Sequence, residues 1–560
     1  MAAGPEHSGP DGTVAGDGDG DGVSLPLPAT DGAAGFFWTS GADGMLRLRY
    51  CSACSKHLHP ALELCPVCFS DDLTVVQVSG HGHVVAVTVN EYPWSGVPGE
   101  PYAIVVVALA DSPDVRLTSR LVGIAPDQAG VGLAVRVVFT PVEDVWLPLF
   151  EPSGLDPVEA HLPEPVVRIP SPASASRFED AVALTGVGTS AVGRRLGRSE
   201  LSLTIEACRA AVADAGLTFD DIDGLAAWPG STGMPGIGSG GVRAVDQILG
   251  IRPTWHIGAQ EVPGQFGGII TAMLAVSAGL CRHVLCWTAV SRDALPHDVN
   301  RGGRLTGEAQ WRVPFGAISP AHWIALSASQ YLHRYGASRD ALGWVAVASG
   351  RHATNNPLAL RSECADLDAY YAGKTITTPF GIFDCDVTCD GAYAVVVSAV
   401  DAARDCAHPV VRVAAAGTAI GEAQSWDQDT LTHQPNLFGQ AAHLWTRTSL
   451  TPEDVDVACL YDGFSFNALS WLEALGFCGL GEGADFVKDA ERIGPGGSLP
   501  VNPHGGQLSA GRSNGFGFLI EAVTQLRGQA GARQVPGAEV AVVSAGGGIP
   551  AGCLLLTTER

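Results

Sequence analysis

The chain has 560 residues, of which 46% are hydrophobic and 16% charged, and its formal net charge is −25. This length exceeds what one hydrophobic core accommodates, so we expect two or three domains. The acidic balance argues against binding to nucleic acid or to anionic membranes, because both need clustered Lys and Arg. The sequence shows neither an apolar run of roughly 18 residues nor a signal peptide, so we expect a cytoplasmic protein.

The N-terminal third divides into four predicted segments. Residues 1–35 are rich in Gly and Asp and predict a disordered tail, because they bury too little apolar surface to offset the entropy of ordering. Residues 36–75 contain paired cysteines. Residues 76–152 carry short Val-rich segments at 84–89, 103–109, 115–122 and 134–139, which predict a small β-barrel. Residues 153–177 are proline-rich and predict a linker that lets the barrel dock against another surface.

Four cysteines form the tightest pattern in the chain. Cys51 and Cys54 make one Cys-x2-Cys pair, and ten residues later Cys65 and Cys68 make a second. This spacing presents four thiolates tetrahedrally to Zn²⁺, and a four-thiolate site leaves no open coordination position. The sequence therefore predicts a structural zinc ribbon, with the nearby His57 and His59 as rival ligands.

From residue 178 onward, strands and helices alternate. Predicted strands at 181–187 and 283–289 enclose predicted helices at 199–215 and 267–279. A similar series starts near residue 410, with strands at 410–416, 455–460 and 539–544 and helices at 467–475 and 518–526. Interleaved elements indicate a largely parallel α/β architecture. We therefore expect two similar halves, residues 178–405 and 406–560.

The most informative segment is the glycine turn, residues 502–517, which reads Asn-Pro-His-Gly-Gly-Gln-Leu-Ser-Ala-Gly-Arg-Ser-Asn-Gly-Phe-Gly. It leads directly into a predicted helix. Backbone amides at a helix N-terminus stabilise anions and developing oxyanions. The turn therefore predicts a site for an anionic group, with His504, Ser509 and Arg512 as its side chains.

The glycine turn resembles the C-terminal glycine motif of the thiolase superfamily, in which Asn-Pro-x-Gly-Gly precedes Ser-x-Gly-His. Further matching segments lie at residues 352–357, 389–394, 461–465, 473–477 and 544–548. Residues 178–560 thus resemble thiolases of the sterol-carrier-protein and lipid-transfer type. The resemblance implies two repeated βαβαβαββ halves in a five-layer αβαβα fold, usually as a homodimer. It also implies an acyl-CoA thioester as substrate.

Residues 36–152 resemble the DUF35 family, a rubredoxin-like zinc ribbon followed by an OB-fold barrel. Residues 46–51, Leu-Arg-Leu-Arg-Tyr-Cys, and the ribbon carry the likeness. Members of this family are typically associated with thiolase-like or acyl-CoA enzymes. OB barrels also bind nucleic acid, which supplies a rival hypothesis, but the strands here are not lined with Lys, Arg and aromatic residues.

The residues of ordinary thiolase chemistry are absent. A thiolase needs a cysteine thiolate to form a covalent thioester, and here Val262 lies nearest that position, with no cysteine between Thr254 and Leu280. Ser544 replaces the second thiolase cysteine, and Arg512 replaces the motif histidine. Catalysis through an acyl-enzyme therefore requires a cysteine from elsewhere in the chain.

Lipid-transfer-type aldolases of steroid side-chain degradation share these losses. Members of that group cleave a β-hydroxyacyl-CoA by retro-aldol chemistry and work with a DUF35 partner, which in this chain is fused. They resemble this sequence at Tyr461-Asp-x-Phe, where the Tyr is proposed as catalytic. They tend to carry a second Tyr at the position of Arg512, so the likeness is incomplete.

The resemblance suggests roles for individual residues. Tyr461 would take or relay the β-hydroxyl proton if a nearby cation lowers its pKa, and Arg512 is that cation unless it binds a CoA phosphate or pairs with Glu521. Glu261 is a candidate acid or base. The candidates for holding the thioester oxygen are His504, Asn467, Gly505 and Gly506. The residues expected to bind substrate or CoA are Gly505, Gly506, Ser509, His352, Asn355 and Gly547.

Three functions remain in competition. The leading hypothesis is a retro-aldolase acting on a β-hydroxyacyl-CoA with a steroid-like side chain. An acyltransferase or β-ketothiolase, similar to an acetyl-CoA acetyltransferase, is the second. A non-catalytic scaffold that binds acyl-CoA or lipid is the third. All three predict a structural Zn²⁺ and an acyl-CoA ligand.

Overall fold

A computed structural model describes residues 25–94, 99–158, 162–165, 167, 176–230, 241–258, 261–291, 303–420, 427–428, 430–434, 436–546 and 551–559. These residues form a zinc ribbon, a closed barrel and a large α/β unit. Among them, no helix combines the length and the apolar character needed to cross a bilayer.

The ribbon is a three-stranded antiparallel sheet in which β1 lies between β2 and β3. Its elements are α1 (Gly35–Thr39), β1 (Leu46–Cys51), β2 (Lys56–Leu58) and β3 (Leu73–Val78). The prediction of disorder is wrong for the C-terminal end of the tail. There the Ala29 amide donates to the Leu305 carbonyl at 2.9 Å, and the Leu305 amide donates to the Leu27 carbonyl at 2.8 Å. Residues 1–24 lie outside the described residues.

The barrel has the strand order β4-β5-β6-β8-β7 and closes through a β4–β7 pairing. Its strands are β4 (His81–Asn90), β5 (Tyr102–Leu109), β6 (Ser112–Leu121), β7 (Ala134–Val142) and β8 (Val145–Pro152). Strands β6 and β8 pair in parallel, and the other pairs are antiparallel. This five-stranded Greek-key closure is the predicted OB fold.

The first half of the α/β unit contributes the strand order β11-β10-β12-β15-β9. Its elements, in chain order, are β9 (Val182–Thr189), α2 (Glu200–Asp214), β10 (Gly224–Ala227), α3 (Gly241–Leu249), β11 (Trp255–Gly258), α4 (Gly267–Ser277), β12 (His283–Val290), α5 (Pro320–Tyr335), α6 (Asp340–Ala353), α7 (Leu367–Ala372), β13 (Thr375–Thr377), β14 (Phe380–Gly381), β15 (Gly391–Ala399) and α8 (Val400–Ala403). Strand β12 is buried along its whole length because helices cover both faces of the sheet.

The second half repeats the first. Its elements are β16 (Val411–Gly417), α9 (Leu437–Thr446), β17 (Val457–Cys459), α10 (Ser465–Ala474), α11 (Gly483–Phe486), α12 (Gly506–Ser509), α13 (Phe516–Leu526), β18 (Val540–Ala545) and β19 (Gly552–Thr558). Its order, β16-β19-β18-β17, matches that of the first four strands of the first half counted from β9 outward, and the edge strand β11 has no counterpart among the described residues. The first strands of the two halves, β9 and β16, pair with each other. The predicted duplication is therefore confirmed.

The helices of the α/β unit lie in three layers. Helices α2 and α3 pack with β10, β12 and β15 on one outer face. Helices α4 and α13 share a core with strands of both halves, so they lie between the two sheet halves. Helices α9 and α10 pack on the other outer face. This arrangement is the predicted five-layer αβαβα fold.

The barrel docks on the α/β unit of its own chain. Residues of β13 extend the barrel sheet, since Thr377 pairs with Asn90 of β4. The Thr88 and Thr377 hydroxyls are 2.6 Å apart, and the Val89 amide donates to the Thr378 hydroxyl at 2.8 Å. The chain runs from this contact through β14 to residues 385–390, which contribute to the site described next. Docking of the barrel therefore anchors one end of the segment that enters the site.

Candidate active site

The zinc ligands lie at the turns of the ribbon. The Sγ atoms of Cys51, Cys54, Cys65 and Cys68 all lie within 4.8 Å of one another. Tetrahedral Zn–S bonds of about 2.3 Å require sulfur separations of about 3.8 Å, so this cluster fits Zn²⁺. His57 packs against Tyr50 and His59 against Trp311, and neither belongs to the cluster. The structural zinc site is thus confirmed with its four thiolates.

Removal of the zinc is expected to loosen the contact between the ribbon and the α/β unit. The ring centroid of His59 is 4.7 Å from Trp311 of the α/β unit, and Trp311 stacks on Trp38 at 5.1 Å. Replacing Cys54 with Ser should abolish stoichiometric zinc in elemental analysis and lower Tm by several degrees. Tryptophan fluorescence should shift to the red. A Cys54→Ser protein that keeps full zinc and wild-type Tm would contradict the assignment, and Cys478→Ser serves as the control.

The glycine turn is tied to the end of strand β17. Asn502 adopts a positive φ of 55°, and its side-chain oxygen accepts from the Leu460 amide at 2.7 Å. Its Nδ2 donates to the Leu460 carbonyl at 2.8 Å and to Asp462 at 3.1 Å. One Asn side chain therefore places the turn directly beside Tyr461.

The carboxylate of Asp462 bonds to the glycine turn. Its carboxylate accepts from the Gln507 amide at 2.7 Å, at the first turn of α12. A Cβ atom at Gly506 would meet this carboxylate, so only glycine fits there. Burial raises the pKa of Asp462 to about 7, because removal from water disfavours the charged form. These contacts make Asp462 a support of the turn.

Tyr461 lies at the centre of the site. Its amide donates to the Ser544 hydroxyl at 2.9 Å, so the serine that replaces the second thiolase cysteine holds Tyr461 in place. The prediction that a cation lowers the pKa of Tyr461 is wrong. Burial and the Asp386 carboxylate raise it, and the opposing effect of Arg512 is smaller. Tyr461 is therefore a neutral phenol near pH 7.

Arg512 forms a bidentate ion pair that the sequence did not reveal. Its Nε and one terminal nitrogen donate to the two oxygens of Asp386 at 2.6 and 2.9 Å. The alternative pairing with Glu521 is wrong, since Glu521 lies 3.0 Å from Arg533. Asp386 lies in the loop between β14 and β15 and belongs to none of the motifs quoted above. Only the fold brings its carboxylate to Tyr461.

Arg361 joins the loop of Asp386 to the glycine turn. Its guanidinium donates to the Cys385 carbonyl at 2.7 Å and also to the Leu508 carbonyl. Backbone bonds reinforce this contact, because the Asp386 amide donates to Gly463 at 3.0 Å and the Arg512 amide to Val387 at 2.9 Å. These contacts fix the loop that carries Asp386 and the turn that carries Arg512 relative to each other.

Two of the candidates for holding the thioester oxygen contact local backbone. The Gly505 amide already donates to the Asn502 carbonyl at 2.8 Å and is therefore engaged. The Asn467 side-chain oxygen caps α10 by accepting from the Phe464 amide at 2.8 Å. Because a thioester oxygen would need the Asn467 Nδ2 as donor, the predicted role of Asn467 stays a prediction. The amide of Gly506 remains a candidate at the start of α12.

His504 contacts the edge of the site. Its ring centroid is 5.4 Å from that of Phe518, and the Phe518 ring also lies 6.1 Å from the Tyr461 ring. Burial lowers the pKa of His504 to about 4, so its imidazole is neutral near pH 7. The His504 carbonyl accepts from Asn356 at 2.8 Å. Asn356, and not the exposed Asn355, therefore contacts the turn.

The remaining predicted binding residues lie around the turn. The Ser509 hydroxyl is buried 2.9 Å from that of Ser349. His352 is buried on α6, with Nε2 3.0 Å from the Ile493 carbonyl. Ser509 thus ties the turn to α6, whereas His352 ties α6 to the segment before the turn. Gly547 lies outside the described residues.

The loop that carries the thiolase nucleophile is apolar at the matching position. Val262 packs into the central core and sits against Gly267, where a Cβ atom would collide with it. Glu261 is exposed, and its predicted acid or base role stays a prediction. Cys389, which bonds the Arg512 carbonyl at 3.4 Å, is buried, and its pKa is raised to about 12. This thiol is protonated at neutral pH and is a poor nucleophile.

Several buried polar atoms around the turn have no hydrogen-bond partner among the described residues. Buried polar atoms are usually hydrogen-bonded, so unpartnered ones that cluster at a candidate active site are candidates for contacts with a substrate. They are Gln265 Oε1, His504 Nδ1, Gln507 Nε2, Ser513 Oγ and Asn514 Nδ2. Sequence reasoning missed Gln265, Gln507, Ser513 and Asn514, and no motif separated them from their neighbours.

Fold and site together define a thiolase-superfamily unit joined to a zinc ribbon and an OB barrel. Family models match three parts of the chain accordingly. The rubredoxin-like zinc ribbon domain of ChsH2 matches residues 38–74. The C-terminal OB-fold domain of ChsH2 matches residues 75–140, and the thiolase C-terminal domain-like family matches residues 417–554.

Individual relatives narrow the assignment. The steroid side-chain-cleaving aldolase of Thermomonospora curvata is 32% identical, over 68% of this chain and 98% of its own. The 17-hydroxy-3-oxo-4-pregnene-20-carboxyl-CoA lyase of Mycobacterium tuberculosis is 34% identical, over 67% of this chain and 98% of its own. The solved Ltp2-ChsH2(DUF35) aldolase superposes with a TM-score of 0.62 at 32% identity, over 68% of this chain and 98% of its own. The chain therefore belongs to the acyl-CoA lyase family of the thiolase superfamily that these aldolases represent.

Proposed function

We propose that the protein cleaves a β-hydroxyacyl-CoA by a retro-aldol reaction without a covalent intermediate. The observation that carries this proposal is a neutral, partly buried Tyr461 beside the Asp386–Arg512 ion pair, at a glycine turn that lacks a thiolate. Acyl transfer needs a nucleophile, whereas retro-aldol cleavage needs only proton transfer and stabilisation of an enolate.

The substrate that fits the relatives is a steroid with a short side chain. One relative is named for a 17-hydroxy steroid carrying a 20-carboxyl-CoA group, and in that compound the hydroxyl is β to the thioester. Cleavage between the α and β carbons of such a compound gives a 17-ketone and a three-carbon acyl-CoA. We propose a substrate of this class and a role in steroid side-chain degradation, a branch of lipid metabolism.

The geometry suggests a division of labour in the reaction. Asp386 accepts the β-hydroxyl proton as the hydroxyl becomes a carbonyl, using a lone pair that Arg512 leaves free. The carbon–carbon bond breaks, and its electron pair moves onto the thioester oxygen to give an enolate. Tyr461 then donates its proton to the α carbon. Transfer of the proton from Asp386 to Tyr461 restores both groups.

Incubation with matched CoA esters tests the proposal. The protein should convert a β-hydroxyacyl-CoA into a ketone and a shorter acyl-CoA, and mass spectrometry should detect both products in equal amounts. The β-ketoacyl-CoA with free CoA should not react, and intact-protein mass should show no acyl adduct. CoA-dependent cleavage with a trapped acyl-enzyme would support a thiolase instead, and tight binding without turnover would support a scaffold.

We further propose that the enzyme acts as a cytoplasmic homodimer. The resemblance of the α/β unit to dimeric thiolases supports the dimer. Sedimentation at micromolar concentration should give a mass near twice the 57.8 kDa of one chain. A monomer at all concentrations would exclude this part of the proposal.

A further inference from the structure

Gln507 has a side-chain orientation that its surroundings determine. It is the second residue of α12 and is fully buried. Its Oε1 accepts from the Ser513 amide at 2.8 Å and from the Asn514 amide at 3.0 Å. Because both partners are backbone donors, the side-chain oxygen must face them. The amide nitrogen therefore lies on the side of the carboxamide that faces away from these two amides.

That nitrogen carries two N–H donors and makes no close hydrogen bond with a described residue. Its one interaction among the described residues is with the Tyr461 phenol, where the Gln507 amide opposes the rise of the Tyr461 pKa. A buried N–H group without a close acceptor is unfavourable for folding, so a bound ligand is a natural partner for it. The buried Gln525 differs in this respect. Gln525 donates from Nε2 to Glu521 at 2.9 Å and to the Arg533 carbonyl at 2.8 Å.

The Gln507 amide also lies near the proposed catalytic tyrosine. The Gln507 side chain lies close enough to Tyr461 to act on its phenol, as does Gln265 from the loop of the absent nucleophile. Gln265 approaches Gly515, so the two amide side chains flank the same part of the turn. Of the groups first expected to hold the thioester oxygen, the Gly505 amide already donates to the Asn502 carbonyl.

We propose that Gln507 is a catalytic residue whose Nε2 donates a hydrogen bond to the thioester carbonyl oxygen. This inference rests on the proposed retro-aldol function. As the carbon–carbon bond breaks, its electron pair moves to that oxygen, and the charge-assisted hydrogen bond strengthens in the enolate. Loss of one such donor typically reduces kcat by about 10²–10³-fold.

The variant Gln507→Glu tests this role without emptying the site. A glutamate keeps an oxygen for the Ser513 and Asn514 amides but replaces the donor with an anion. We expect kcat/KM to fall by about 100-fold or more at pH 8. We also expect activity to recover partly as the pH falls, because a protonated carboxyl again offers a donor, whereas a structural defect would show no such recovery. Gln525→Glu should lower Tm and leave kcat per folded enzyme near wild type.

A binding comparison separates this inference from the proposed function. Calorimetry should show that the wild type binds a saturated acyl-CoA thioester about 3–10-fold more tightly than the matching thioether, which lacks the carbonyl oxygen. Gln507→Met should lose that preference. Absence of wild-type turnover on β-hydroxyacyl-CoA would overturn the proposed function. Wild-type-like turnover by Gln507→Glu at every pH, or an unchanged thioester preference in Gln507→Met, would overturn the role of Gln507 alone.

Discussion

Replacement of Tyr461 by Phe is expected to reduce kcat by about 10²–10⁴-fold, which is the usual contribution of a positioned proton donor. The ring remains to pack against Phe518, 6.1 Å away, so Tm should change little. KM should also change little, because the lost interaction forms during proton transfer and not during binding.

The pH dependence gives a second measure of the same residue. Burial and Asp386 raise the pKa of Tyr461, and the proposed step uses its protonated form. Activity should therefore persist below pH 10 and fall as the pH rises through the raised pKa, provided the fold survives. Tyr331→Phe is a matched control, since it removes a buried hydroxyl that bonds Glu473 outside the site. Full activity in Tyr461→Phe would exclude proton transfer by this residue.

Replacement of Asp386 by Asn should have a comparable effect on kcat, about 10²–10⁴-fold, because the acceptor of the β-hydroxyl proton is lost. It should also lower the pKa of Tyr461, since the carboxylate that raises it is gone while Arg512 remains. The alkaline limb of the activity profile should therefore move to lower pH. A measured shift in this direction, in whatever activity remains, would show that the two groups interact.

Stability must be measured alongside, because breaking a partly buried ion pair leaves Arg512 without its partner. The side chains of Arg512 and Asp386 are 27% and 11% exposed, so we expect a loss of only about 1–3 kcal/mol in the free energy of unfolding. Glu179→Gln is the matched control, as it breaks a bidentate pair with Arg447 away from the site. If both variants lose activity equally per folded molecule, Asp386 has no specific role.

Local patterns were sufficient for much of the fold. Helix α2 follows its predicted bounds because the Ser199 hydroxyl accepts from the Ser202 amide and Gly216 allows a positive φ of 73° after the last turn. The zinc ribbon was equally predictable, since four closely spaced cysteines leave few other arrangements. The tail was predicted too long, because the backbone hydrogen bonds that join Leu27 and Ala29 to the distant Leu305 cannot be read from local composition.

The site was only partly predictable, for a related reason. Motifs identified the glycine turn and Tyr461, because their residues are contiguous. Asp386 and Gln265 come from separate loops, and their proximity to Tyr461 depends on how two sheet halves and two central helices pack. The sign of the Tyr461 pKa shift depended on the same packing, because burial and Asp386 outweigh the cation that the sequence suggested.

The sequence by itself determined the zinc ligands, the order of the domains, the duplicated α/β pattern and the absence of a thiolase nucleophile. Each of these depends on residue identity and short-range spacing. Only the tertiary structure decided that Asp386 pairs with Arg512, that Tyr461 is a neutral phenol and that the buried Gln507 amide lacks a close acceptor. Those properties depend on burial and on distances between residues far apart in the chain, and only the packed fold sets them.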